Sequence, residues 1–139
     1  MIITPKDYIE INQLLVRYCQ ALDFGDSAGV ADCFSSDGLF EIDVPNATSA
    51  LQSRYVGRAA LLRFATDAFA GLQGHARHWT SPPVIDVDGR SATSVQYLTV
   101  IRAGRSPHGA ILLTGVYRDS LLKLDGEWLI AHRRFSADP

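Results

Sequence analysis

Apolar residues recur at steps of three and four near the N-terminus: Tyr8, Ile11, Leu15, Tyr18 and Leu22 form one stripe. Lys6, Glu10, Asn12, Gln13, Arg17 and Gln20 occupy the other sides. That spacing predicts an amphipathic helix with one face in a core. Thr4-Pro5-Lys6-Asp7 supplies its start, with Thr4 as N-cap, Pro5 in the first helical position and Asp7 in the first turn. Gly25 is its stop. A second, shorter helix is expected from a cap at Asp26 or Ser27 to about Ser35, turning Val30, Ala31 and Phe34 inward, until Asp37-Gly38 breaks it. Residues 39–44 alternate weakly and read as a strand. Residues 45–54 are polar and without period, a loop of the length used for binding lids or for plain connection. A third helix is expected over 58–69, burying Leu61, Leu62, Ala65 and Phe69, with Gly71 and Gly74 ending it.

Beyond residue 76 the pattern changes to the period of two that strands require. Residues 76–80 and 84–87 predict one strand interrupted by Pro82-Pro83, which cannot donate to a ladder. Asp88-Gly89 and Asp125-Gly126 predict tight hairpins, and Gly104 to Gly109 a further turn. They join strands over 92–102, 110–124 and 128–135. Helices first and mostly antiparallel strands after make an α+β arrangement with the helices on one face. The longest strand carries Ile111, Leu113 and Tyr117 on one side and Leu112 and Val116 on the other. Both sheet faces are therefore apolar, while the helices cover one. A second copy on the outer face, giving a homodimer or higher homo-oligomer, is the expected cover; a more rolled sheet within one chain is the alternative.

The 139 residues suit one domain spanning 1–139, and 47% hydrophobic with 20% charged residues fits a compact globule. A net charge of -2 leaves no basic footprint for nucleic acid. No apolar run approaches the roughly 20 residues of a membrane span, and the first residues lack the regions of a secretion signal. A cytoplasmic location is expected, with no membrane partner. Cys19 and Cys33 lack metal-ligand spacing. There is no glycine-rich phosphate cradle, no Gly-x-Ser-x-Gly and no Cys-x-x-Cys, so neither a metal nor another cofactor is expected.

The candidate chemistry lies in Gly74-His75-Ala76-Arg77-His78-Trp79-Thr80, where the two halves of the chain meet. An unperturbed imidazole titrates near about 6.5. Strand alternation puts His78 and Thr80 on one face and Arg77 and Trp79 on the other. An inward His78, roofed by helices, is a candidate acid–base group; a structural histidine is the alternative. His75 and His78 face apart, which suits no shared metal. Tyr18 lies on the core stripe and Asp23 borders it. Five residues separate them, about 140° around a helix, so they converge only if the helix loosens before Gly25. Trp79 and Trp128 read as core or interface.

Arg17-Tyr18, Ala21-Leu22-Asp23, Gly25-Asp26, Phe34, Asp37-Gly38, His78, Asp88-Gly89, Ala92, Gly115, Tyr117, Asp119 and Gly126-Glu127-Trp128 run in one order. Together they resemble the SnoaL-like group of the nuclear transport factor 2-like superfamily over nearly the whole chain. The resemblance implies a cone-shaped α+β barrel, a curved and mostly antiparallel sheet wrapped around three helices, with a deep apolar cavity. Tyr18 and Asp23 resemble the first-helix tyrosine and aspartate of its dehydratases, and Arg77-His78-Trp79 their His-aromatic pair. By that likeness His78 is the acid–base residue, Asp23 its orienting partner and Tyr18 a hydrogen-bond donor to substrate. The second histidine of scytalone dehydratase has no match; Gln96 or Tyr97 stands nearby. Phe40, Tyr55 and Tyr117 complete the candidate substrate-binding set. The Arg and Asp arrangement of the superfamily's epoxide hydrolases is not evident around Val100-Ile101-Arg102, and 92–102 lacks the inward carboxylate of ketosteroid isomerase. Asp119 and Arg133 or Arg134 are expected as structural salt-bridge partners on the outer face or rim.

The resulting expectation is a cofactor-free dehydratase, cyclase or isomerase acting on a small hydrophobic cyclic or polyketide-like molecule. The alternative is a non-catalytic ligand-binding module or the small subunit of a ring-hydroxylating dioxygenase. In that case side chains would fill the cavity and His78 would have no free face.

Overall fold

The computed structural model describes residues 3–45 and 54–139. Helix α1 spans Pro5–Asp23 and begins as expected: the Thr4 side chain accepts a hydrogen bond from the Asp7 backbone at 3.1 Å. Ile11, Leu15, Tyr18 and Leu22 are buried along its stripe with Leu14 and Cys19, whereas Tyr8 is 42% exposed. Helix α2, Ser27–Asp32, is capped by Asp26, whose Oδ1 accepts from the Gly29 backbone at 2.9 Å. It ends earlier than expected, because pairing with a distant strand captures the chain. The Cys33 carbonyl accepts from the Ile130 backbone at 2.8 Å, and strand β1, Phe34–Asp43, starts there. Phe34 still points inward.

Strand β2, Arg54–Val56, pairs antiparallel with β1 and sets Tyr55 opposite Phe40, a strand not expected from the sequence pattern. The loop expected over 45–54 falls largely on residues 46–53, outside the described residues. Helix α3, Arg58–Gly71, buries Leu61, Phe64 and Ala65. Phe69, expected in the core, is 36% exposed. Its ring packs instead over Gly25 and Gly74, where an added Cβ would lie 3.1 Å from it and φ is +76° and +72°. Glycine at both positions lets the ends of α1 and α3 approach the start of the next strand.

The sheet runs β2-β1-β7-β6-β5-β3, with β4 also on β5. Strands β3 (Ala76–Thr80) and β4 (Val84–Asp88) lie end to end along β5 (Ser91–Arg102), as one strand interrupted at Pro82-Pro83. Strands β6 (Ile111–Leu124) and β7 (Glu127–Ala137) follow, joined through Asp125 and Gly126 at φ 50° and 82°. Positive φ at both residues matches the twist of a two-residue hairpin. Among the described residues, only β1 and β7 pair in parallel. Three helices over a curved, mostly antiparallel sheet are the α+β arrangement expected.

Cross-strand register sorts the inner face into rows. One row reads Ser94, Asp119, Arg133, Phe40, Tyr55; the next reads Gln96, Tyr117, Phe135, Ile42. A third is Leu98, Gly115, Ala137, and a fourth is His78, Val100, Leu113. At Gly115 a Cβ would stand 2.5 Å from the Phe135 ring, so the third row has room for that ring only because it lacks a side chain. Tyr18 meets Phe34, Phe40 and Tyr117 edge-on at 5.9, 6.4 and 6.1 Å, and Phe40 meets Phe64 at 4.7 Å. Each such pair contributes about 0.5–1.5 kcal/mol beyond its buried area. Where the resemblance implies a deep apolar cavity, these rings occupy the middle of the inner face.

On the outer face Val95, Tyr97, Leu112 and Leu122 are exposed. Ile111 is 66% exposed instead of sharing an inner face with Tyr117, because the β5–β6 ladder slips between Val100 and Ile101. No helix among the described residues is long and apolar enough to cross a membrane.

Candidate active site

Strand β3 lies at one end of the sheet, opposite the β2 end, and the last turn of α1 lies beside it. Asp23, the final residue of α1, meets His78 twice. Its Oδ2 accepts from the His78 backbone N–H at 2.9 Å, and its Oδ1 lies 2.5 Å from His78 Nδ1. A backbone N–H of β3 that reaches Asp23 points away from β5, so the carboxylate takes the place of a missing neighbour strand. A carboxylate accepts only, which assigns a ring proton to Nδ1; in the neutral ring the lone pair is then on Nε2. Nε2 has no hydrogen-bond partner among the described residues. The two side chains are 13% and 6% exposed. A carboxylate at a helix C-terminus meets the negative end of the dipole, a local cost of about 0.3–1 kcal/mol. Two donors from His78 offset it.

His78 touches two spaces. Toward α3 it borders a void of about 10 Å³ with Leu22, Ala68 and Leu72. Toward α1 it borders a half-open cavity of about 320 Å³ with Val16, Cys19, Gln20, Phe24 and Trp79. The residues added here were not legible as a site: Phe24 follows the helix, and Val16 and Gln20 lie off its core stripe. Arg77 is fixed beside them, its Nη1 donating to the Ala76 and Gly74 carbonyls at 2.8 and 3.3 Å. Its guanidinium lies 5.6 Å from the Phe24 ring centroid.

Tyr18 belongs to a different cluster. Helix α1 stays regular to Asp23, so the loosening that would bring Tyr18 and Asp23 to one point does not occur. Arg133 donates from Nε and Nη2 to the two oxygens of Asp119 at 2.7 and 2.8 Å, and Ser94 Oγ donates to Asp119 Oδ2 at 3.0 Å. The Arg133 guanidinium lies between the rings of Tyr18 and Tyr117, at 4.4 and 3.9 Å from their centroids. Both charged side chains are 0% exposed. This pair, expected on the outer face or rim, is sealed inside; the outward partner is Arg134, which reaches Asp43 at 3.4 Å. Burial opposes the charge on Arg133, but Asp119 holds its pKa above the ordinary arginine value. Burial likewise pushes the Tyr18 and Tyr117 phenols up, so both keep their protons. Arg133 Nη1, the Tyr18 hydroxyl and Gln96 Oε1 are buried without partners among the described residues.

The structure thus brings His78 and Asp23 together, and separately gathers Tyr18, Phe40, Tyr55 and Tyr117. Gln96 stands beside Tyr117 on the inner face and donates to the Ser81 carbonyl at 2.8 Å. Tyr97 is the exception to the expected set: it is 70% exposed on the outer face, across the sheet from His78. Adjacent strand residues cannot share a face, so of Gln96 and Tyr97 only Gln96 points inward. His132 also faces outward, 2.8 Å from Glu41, and His75 Nδ1 lies 2.9 Å from the Ala103 carbonyl. No group of three or more His, Cys, Asp or Glu among the described residues could hold a metal ion. Burial raises the Cys19 and Cys33 thiols to about 11, so both stay protonated.

The SnoaL-like domain family matches residues 5–134. No curated protein matches the chain. Among solved structures, a Mycobacterium tuberculosis protein of unknown function is 33% identical, with 97% of this chain and 76% of that one covered and a TM-score of 0.79. A Catenulispora acidiphila protein in complex with S-DNPA is 26% identical, covering 97% and 96%, at 0.79. A Novosphingobium aromaticivorans protein named as a scytalone dehydratase is 23% identical, covering 94% and 83%, at 0.74, a likeness of fold.

Proposed function

Because the chain belongs to the SnoaL-like family, we propose that it is a cofactor-free acid–base enzyme in which His78 moves a proton and Asp23 holds and charges it. The observation that carries this reading is the two-point grip of Asp23 on His78, which fixes the ring and leaves Nε2 unclaimed. A histidine kept for packing alone needs no carboxylate at Nδ1. Nε2 takes a proton from the carbon next to a carbonyl, and the imidazolium forms against the Asp23 carboxylate. The electrons of the C–H bond form the new double bond, the hydroxyl on the next carbon departs, and Nε2 returns the proton to it as water. Moving the proton to another carbon instead gives isomerisation with the same groups. The substrate is a small hydrophobic cyclic or polyketide-like molecule.

A non-catalytic binding module is the second reading, favoured by the aromatic rings that fill the middle of the inner face. The test is a panel of cyclic β-hydroxy ketones, followed by the ultraviolet absorbance of the conjugated product. Replacing His78 by Ala is expected to lower turnover by about 10²–10⁴-fold with the fold intact. Unchanged turnover in that variant removes His78 from the chemistry.

A further inference from the structure

Phe24 and Trp79 are 67% and 66% exposed, and both border the 320 Å³ cavity at His78, as does Val16 at 44%. Large apolar side chains left in water around one hollow mark a binding surface. Phe24 is not a loose ring, because Arg77 stands against it and is itself anchored on the Gly74 and Ala76 carbonyls. The formal charges of the lining balance, the Asp23 carboxylate against the Arg77 guanidinium, and the Cys19 thiol stays protonated. Among the described residues, the Gln20 amide, the Thr80 hydroxyl and His78 Nε2 in this lining carry no hydrogen bond. A volume of about 320 Å³ is at the lower end of small-molecule sites, with room for one or two fused rings.

We propose that the cavity between α1 and β3 binds a neutral, flat molecule of one or two rings carrying a carbonyl or hydroxyl oxygen. Its rings lie against Phe24 and Trp79, and its oxygen reaches Thr80, Gln20 or His78. This rests on the reading of His78 and Asp23 as an acid–base pair and deepens it: substrate approaches past the outer side of α1, not through the ring-filled middle of the inner face.

The experiment is saturation-transfer NMR with 1-acetonaphthone, a neutral aryl ketone, beside 1-naphthalenesulfonate as its anionic counterpart. The neutral probe is expected to bind saturably and more tightly than the anion. Trp79→Ala and Phe24→Ala, at exposed positions, should each weaken it at least about fivefold, while the distant Ile111→Ala leaves it unchanged. His78→Ala should retain the ring contacts and most of the binding while turnover is lost, which separates this inference from the acid–base reading. Equal affinity in Trp79→Ala and Phe24→Ala overturns the proposal, as does absence of saturable binding or preference for the sulfonate. A Trp79→Ala variant that dissociates a dimer without altering probe affinity assigns the patch to a second copy and overturns it too.

Discussion

Asp119 and Arg133 carry full charges into a space that water does not reach. Removing one partner of such a pair strands the other, at a cost of about 3–5 kcal/mol, whereas replacing both with apolar groups is often neutral. Asp119→Ala is therefore expected to lower the unfolding free energy by about that amount in urea titrations, and Asp119→Leu with Arg133→Met to recover most of it. The inward facing of Arg133 could not be read from alternation. Trp128 and Ile130 face inward, and so do Arg133 and Phe135, an odd step that only the irregularity between Ser120 and Leu121 in the β6–β7 ladder permits. His78 was legible because β3 is regular across all its pairs with β5. Its bond to Asp23 was legible only through the family resemblance, because 55 residues separate the two and no local spacing reports a contact of that reach.

Elements hold one another through their ends as well as their faces. Asp7 in the first turn of α1 accepts from Lys123 Nζ and Trp128 Nε1, both at 2.9 Å, clasping the helix to the β6–β7 hairpin. The Thr4 hydroxyl, then Lys123 and Trp128, lower the Asp7 pKa to about 2. A carboxyl depressed on folding stabilises the fold above its unfolded pKa, and that contribution fades as pH falls toward about 2. Asp7→Asn is thus expected to be less stable than the parent at pH 6, with the gap closing below about pH 4 when urea midpoints are compared. The helices were legible from period and caps. Strand β2 was not, because three residues are too few to show alternation and their pairing with β1 comes from tertiary structure. The early end of α2 has the same origin in the β1–β7 pairing.

At the scale of the molecule, the helices and the aromatic rings use one face of the sheet and leave the other to the surroundings. We propose that a second copy covers it, since Tyr97, Val95, Leu112 and Leu122 lie exposed there. Tyr97→Glu, which sets a charge among them, is expected to shift sedimentation at about 10 µM from dimer toward monomer, raising the dissociation constant at least tenfold, about 1.4 kcal/mol. A parent chain that sediments as a monomer ends that proposal. The α+β order was plain from the change of period, because three helices precede an almost uninterrupted meander.

Asp23 has a structural obligation whether or not His78 moves protons. The oxygen that grips the His78 backbone also caps an amide on the sheet's open margin, where an unprotected strand invites pairing with a stranger. A relative that performs no catalysis would still need some clasp at that corner. Persistence of an aspartate there is therefore weak testimony for an active enzyme, whereas the fate of the imidazole opposite it is strong.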